Sequence, residues 1–234
     1  METSVYVAGL EPLKDRELYR RALDTASPER RKKALRYRRE DSRLRSLGGE
    51  LLLRRALEDC GLEAGELRYE YGDHGKPRLA GQEEFHFSLS HSGSYVMLAV
   101  SERELGCDLE QITEPRLKVA RRYFAREEWE HLSSTAGEEQ TRLFFRYWTL
   151  KESFLKATGQ GLHLPLDAFQ IVLGEDGSVT VRQSFDEREY HFAEFQTIPG
   201  YCCALCQSGA FQGARWENVN FREMFCRSGG ASGR

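Results

Sequence analysis

The sequence predicts an α+β protein of two halves, and two observations predict it. The order of helices followed by strands occurs twice along the chain. In addition, 234 residues with 40% hydrophobic content suffice for one large unit or two small ones with a real buried core. The expected division is 1–104 and 105–226, meeting at the polar segment Ser101 to Leu105, with the Gly- and Ser-rich 227–234 as a disordered tail.

The elements follow in order. Ser4 to Gly9 reads as a strand and is followed by a polar helix. Ser27-Pro28-Glu29 supplies a cap residue with proline at the first helical position. It opens a helical region that runs, with interruptions, to about Cys60. Leu44, Leu47, Leu51 and Leu57 recur near the helical period, and Gly61 is the stop. Tyr69 to Pro77 contains a Gly-rich turn, and Phe85 to Ser90 alternates as a strand. Tyr95 to Val100 and Leu105 to Ile112 read as a hairpin joined by Ser101-Glu102-Arg103-Glu104. A second helical stretch covers about Leu117 to Leu132, a polar loop Ser133 to Glu139, and a third helix Gln140 to Thr158, ended by Gly159. Strands at Phe169 to Leu173 and Ser178 to Arg182 flank a turn, and Tyr190 to Gln196 and Tyr201 to Gln207 follow.

Composition excludes several classes. With 34 basic and 37 acidic residues the net charge is -3, so the chain as a whole is not built to bind a polyanion. No apolar run approaches the ~18 residues of a membrane span, and the N-terminus lacks a basic start followed by an apolar stretch, so no membrane association and a cytoplasmic location are expected. The six cysteines show no zinc-ligand spacing. Cys202, Cys203 and Cys206 read as core thiols in a reducing compartment. A Walker loop and a Gly-rich dinucleotide turn are absent, which argues against ATP- and NAD-based chemistry.

Two segments carry the chemistry. In Gly106-Cys107-Asp108-Leu109-Glu110 the strand reading puts Asp108 and Glu110 on one face and Cys107 on the other. In Trp148 to Ala157 the helical reading puts Glu152 and Lys156 on one face, with Trp148 one turn back. Three acids and two lysines, Lys151 and Lys156, are thus expected to meet around one metal ion and one phosphorylated substrate. Oxygen ligands favour a hard cation such as magnesium (Mg2+), typically completed by substrate phosphates, with manganese (Mn2+) left open. A Glu-Lys pair four apart is by itself common on solvated helix faces and worth only about 0.3–0.5 kcal/mol. The presence of Asp108 and Glu110 is what favours a site.

On these residues the chain resembles the Sfp-type 4'-phosphopantetheinyl transferases. The resemblance includes Ser27-Pro28-Glu29-Arg30, Gly75-Lys76-Pro77, Ser88-Leu89-Ser90-His91-Ser92-Gly93, Gly106 to Glu110, Trp148 with Lys151-Glu152 and Lys156, and Gly161 to Leu166. It implies a monomer of two similar α+β halves in a pseudo-twofold arrangement, with the active site between them. It also implies transfer of the phosphopantetheine arm of coenzyme A to a serine of an acyl or peptidyl carrier protein, releasing 3',5'-adenosine diphosphate. By the family pattern Asp108, Glu110 and Glu152 hold magnesium, Glu152 is the base, and Lys156 neutralises phosphate charge. Arg30, Lys33, Arg45 and Ser46 would face the 3'-phosphate, with Arg30 where a lysine is frequent. Lys76, Pro77, Ser90 and His91 would line the nucleotide side, His91 as a phosphate ligand. Leu117, Arg121, Arg122, Tyr123 and Phe124 would face the carrier, whose acidic helix would find Lys118 nearby. Trp148 and Phe154 read as packing residues, and Glu128 as helix-start charge. Two other classes remain as alternatives from the residues alone: another magnesium-dependent phosphotransfer or phosphohydrolase enzyme, and a nucleic-acid module using the basic helix Arg30 to Arg39.

Overall fold

The computed structural model describes residues 1–63, 65 and 67–228. The first half runs β1 (Ser4–Gly9), α1 (Arg16–Thr25), α2 (Pro28–Arg36), α3 (Glu40–Asp59), β2 (Tyr69–Tyr71), β3 (Pro77–Leu79), β4 (His86–Ser92) and β5 (Tyr95–Ser101). The second runs β6 (Leu105–Gln111), α4 (Leu117–Tyr123), α5 (Arg126–Ser133), α6 (Gly137–Thr158), β7 (Gln170–Leu173), β8 (Val179–Arg182), β9 (Tyr190–Phe195) and β10 (Tyr201–Ser208). Each half is therefore a strand, three helices, a small hairpin and two strands. The pairing repeats as well: β1-β5-β4 in one sheet and β6-β10-β9 in the other, all antiparallel.

Alternation along the strands divides the apolar residues among three cores. Tyr6, Ala8, Val96, Leu98 and Val100 pack with the leucines of α3. Val5, Val7, Met97 and Ala99 meet Cys107, Leu109, Cys203 and Leu205 between the two sheets. Ala204 and Cys206 pack with Phe144, Leu150, Phe154 and Ala157 of α6. The layers are thus α3, sheet, sheet, α6, and residues 106, 108 and 110 of β6 are left facing α6.

Several expectations are corrected. β5 and β6 form no hairpin, because β5 pairs with β1 and β4 while β6 crosses into the other sheet beside β10. The helix expected over Leu117 to Leu132 is two helices, α4 and α5, broken where Phe124 turns into the core with extended backbone. The C-terminal segment does not stay with the second half. β11 (Arg215–Asn218) pairs parallel with β1, and α7 (Phe221–Ser228) buries Phe221 and Phe225 in the first core, so 105–226 is not one half and Arg227 and Ser228 are helical. The remainder of the expected tail, 229–234, lies outside the described residues. Among the described residues no helix is long and apolar enough to cross a membrane, and the cysteines are free thiols, with Cys107, Cys203 and Cys206 buried.

Candidate active site

α6 crosses β6 at Gly106. A Cβ there would overlap the Ser153 carbonyl oxygen and the Ala157 nitrogen and stand 2.7 Å from Lys156 Cβ. Glycine sets the distance between the two chemistry-bearing elements. Gly106→Ala is expected to push α6 off the strand and lower turnover about 100-fold, the cost of an ångström-scale misplacement, with loss of thermal stability. Steady-state rates and a melting curve check both.

The close crossing brings Lys156 onto β6. Its Nζ donates to Asp108 Oδ1 at 2.7 Å and to the Cys107 carbonyl at 2.9 Å. Burial acts to lower the Lys156 pKa, but the Asp108 carboxylate prevails and holds it above the usual lysine value. Asp108 Oδ1 also accepts from Ser90 Oγ at 2.8 Å, while Oδ2 is buried without a partner. Glu110 Oε2 accepts from Ser92 Oγ at 2.6 Å, and burial followed by Asp108 raises its pKa despite that bond. Burial, then Asp108 and Glu110 against the opposing Lys156, likewise raises Glu152 on α6. The three acids expected from the sequence are therefore mutually coupled. Among the described residues they do not form a ready-made metal cage. The orphaned Asp108 oxygen and the all-oxygen donor set nonetheless suit a hard divalent cation, whose charge would relieve the crowding.

Lys151, the second lysine expected here, is elsewhere. It points to another side of α6, fully buried, and donates to both oxygens of Glu128 at 2.7 Å and to the Phe169 carbonyl at 3.0 Å. Glu128 accepts in addition from the Ile171 and Ala125 amides, so it is a buried anchor of α5, α6 and β7 rather than helix-start charge alone. Phe154 is buried as expected, and Trp148 stacks on Phe124 and Phe144.

The expected nucleotide residues divide into two groups. Arg45 on α3 donates to the Gly93 carbonyl at 3.0 Å, and its Nε and Ser46 Oγ are buried without partners. Partial burial, reinforced by Arg45 and Lys156, lowers the His91 pKa and favours its neutral form, which places the imidazole in one region with those two cations and Asp108. Others are held by protein partners. Arg30 is tied to buried Glu50 at 3.3 Å, and Lys76 to Glu104 at 2.6 Å and the Leu105 carbonyl at 3.0 Å. Ser90 donates its hydroxyl to Asp108, Pro77 begins β3, and Lys33 is exposed on α2.

Of the expected carrier face, Arg121, Arg122 and Tyr123 are exposed on α4, with the Arg122 guanidinium 5.2 Å from the Tyr123 ring centroid. Leu117 is half-buried, and Phe124 is corrected to a core residue, 5% exposed. Cys107 points away from the acids, as alternation requires, with its Sγ against the Ser88 carbonyl in the inter-sheet core. Cys107→Ala is therefore expected to keep turnover within about twofold while costing about 1 kcal/mol of stability, read from parallel rate and denaturation measurements.

Sequence reasoning missed Glu50, Glu104 and the pairing of Lys151 with Glu128, because long-range partners leave no local signal. It also missed Ser88 and Ser92, whose spacing with Ser90 was a visible signal.

The comparisons with known proteins agree with this geometry. Residues 104–206 match the 4'-phosphopantetheinyl transferase superfamily, and residues 12–103 match the model described as 4'-phosphopantetheinyl transferase, N-terminal. The chain is 33% identical over 187 residues to 4'-phosphopantetheinyl transferase Sfp of Bacillus subtilis, covering 80% of this chain and 84% of that protein. It is also 33% identical over 207 residues to 4'-phosphopantetheinyl transferase psf-1 of Bacillus pumilus, covering 86% and 88%. With 4'-phosphopantetheinyl transferase gsp of Aneurinibacillus migulanus it shares 32% identity over 193 residues, covering 82% and 80%. Two coupled acids on a strand, a third acid and a lysine on the helix crossing it, and these matches over most of the chain lead to one conclusion: the chain belongs to the 4'-phosphopantetheinyl transferase superfamily and is an enzyme of that type.

Proposed function

We propose that this transferase moves the 4'-phosphopantetheine arm of coenzyme A to a serine hydroxyl of an acyl or peptidyl carrier protein, with the reacting pyrophosphate at Asp108, Glu110, Glu152 and Lys156. The observation that carries the reading is the buried, unpartnered Asp108 Oδ2 beside the Lys156 ammonium, a place left for a cation and its anionic partner. The carrier serine oxygen forms a bond to the phosphorus that bears the pantetheine arm. The pyrophosphate P–O bond breaks, and 3',5'-adenosine diphosphate leaves with the electron pair.

Glu152 takes the serine proton. Burial, with Asp108 and Glu110 beside it, holds its pKa above the usual glutamate value in the metal-free site. Lys156 holds its proton and neutralises charge developing on the leaving group. Asp108, Glu110 and Glu152 would hold magnesium or manganese, which when bound supplies charge neutralisation of the pyrophosphate. Arg45, Ser46 and His91 provide the adenosine-phosphate end, Arg30 and Lys76 being paired with Glu50 and Glu104 and the exposed Lys33 a further phosphate ligand. The exposed α4 cations Arg121 and Arg122 would meet an acidic carrier helix. Charge reversal of both is expected to raise the Michaelis constant for carrier about tenfold with turnover little changed. A single chain carries the whole set, and the enzyme is read as a cytoplasmic monomer.

Mass spectrometry of an apo carrier incubated with the protein, coenzyme A and magnesium tests the reaction. A gain of one phosphopantetheine that chelator prevents is the expected result. No gain on any of several fatty-acid and peptide-synthesis carriers would count against it.

A further inference from the structure

β4 is the edge of the first sheet and β6 the edge of the second, and the two edges face each other without a backbone ladder. Three serines on alternate positions of β4 fill the gap. Ser88, Ser90 and Ser92 accept from the amides of Cys107, Leu109 and Gln111 at 3.0, 3.2 and 3.1 Å. These bonds fix the polarity of each hydroxyl, since an amide can only donate and the serine oxygen must accept. The single hydroxyl proton is then free to point elsewhere. For Ser90 and Ser92 it goes to a carboxylate of the acid cluster, Asp108 Oδ1 at 2.8 Å and Glu110 Oε2 at 2.6 Å.

We infer that Ser92 is a positioning residue for Glu110: anchored on β6 by the Gln111 amide, its hydroxyl engages one carboxylate oxygen and leaves the other for a divalent cation, as Ser90 does for Asp108. The arrangement resembles the hydrogen bonds that orient ligating carboxylates in metal sites, where loss of such a partner costs about 10–100-fold in metal affinity. It also means that the acids of the second half are oriented from the first, the half that carries Arg45 and His91. The inference rests on the proposed metal role of the acids and extends it to a residue outside the cluster.

The test is Mn2+ binding to the protein alone, followed by electron paramagnetic resonance of free Mn2+, for the wild type, Ser92→Ala, Ser92→Thr and Asp108→Ala. Ser92→Ala is expected to weaken Mn2+ about tenfold, and Ser92→Thr, which keeps the hydroxyl and suits a strand, to restore it. Circular dichroism spectra and melting curves establish that each variant is folded under the binding conditions. Binding that Asp108→Ala abolishes and Ser92→Ala leaves at the wild-type value overturns the inference alone. Loss in Ser92→Ala that Ser92→Thr does not recover also overturns it. Absence of wild-type binding overturns it together with the metal reading.

Discussion

Lys151→Met will destabilise the fold by about 3 kcal/mol, and Glu128→Leu by nearer 5 kcal/mol, the range for breaking a buried ion pair from one side. The order follows from what each change strands. Without the lysine, the Glu128 carboxylate keeps the Ile171 amide at 2.6 Å and the Ala125 amide at 2.9 Å, so part of its solvation is replaced. Without the glutamate, those two amides lose their acceptor, and a fully buried ammonium is left with the Phe169 carbonyl at 3.0 Å, the faces of the Phe169 and Phe124 rings at 4.2 and 5.5 Å from their centroids, and the more distant charge of Asp167. Burial already pulls the Lys151 pKa down, and without Glu128 the lysine can escape the penalty only by shedding its proton. The double variant is expected to recover only part of the loss, because the amides stay unsatisfied at about 1–3 kcal/mol each. Denaturant unfolding measures all three, and losses below about 1 kcal/mol for both single variants would mean that the pair behaves as a surface pair.

What the sequence disclosed and what it withheld differ in range. Asp108 and Glu110 share a face because strand alternation allows nothing else, and Glu152 and Lys156 share one by the helical repeat. Local periodicity therefore put four site residues on the correct sides of two elements. That Gly106 lets those elements meet went unread, although a glycine within a strand often marks close approach. Lys151 went wrong for the complementary reason. Adjacent to Glu152 in sequence, it lies about 100° around the helix, and its partner is 23 residues away on α5. β6 was paired with β5 by proximity in the chain, whereas its neighbour is β10, nearly a whole half later. The return of Phe221 and Phe225 to the first core is hidden likewise, because a short amphipathic C-terminal helix carries no mark of which core it fills.

Asp108→Ala will lower phosphopantetheine transfer by about 1000-fold, a loss of about 4 kcal/mol of transition-state stabilisation, and added magnesium will not restore it. Asp108 does two things that a neighbouring acid cannot take over. Its Oδ2 is the buried, unpartnered oxygen of the cluster, and its Oδ1 holds Lys156 Nζ at 2.7 Å together with Ser90 Oγ at 2.8 Å. Removing the carboxylate therefore takes away the proposed cation ligand and also releases the ammonium, whose other acceptor on β6 is the Cys107 carbonyl at 2.9 Å. Lys156→Ala separates the two effects. It leaves all three acids in place, so it is expected to reduce turnover about 100-fold while the magnesium concentration for half-maximal rate stays within about threefold of the wild type. The fold should survive Asp108→Ala, because alanine there relieves the repulsion that adds to burial in raising Glu110 and Glu152, whereas Lys156→Ala removes the cation that lowers both, so its melting curve is measured alongside. Rates measured across a magnesium series decide the matter. If Asp108→Ala were rescued at high magnesium, the residue would serve only to recruit the cation, and the positioning of Lys156 would have to come from the Cys107 carbonyl and the closeness of α6 at Gly106.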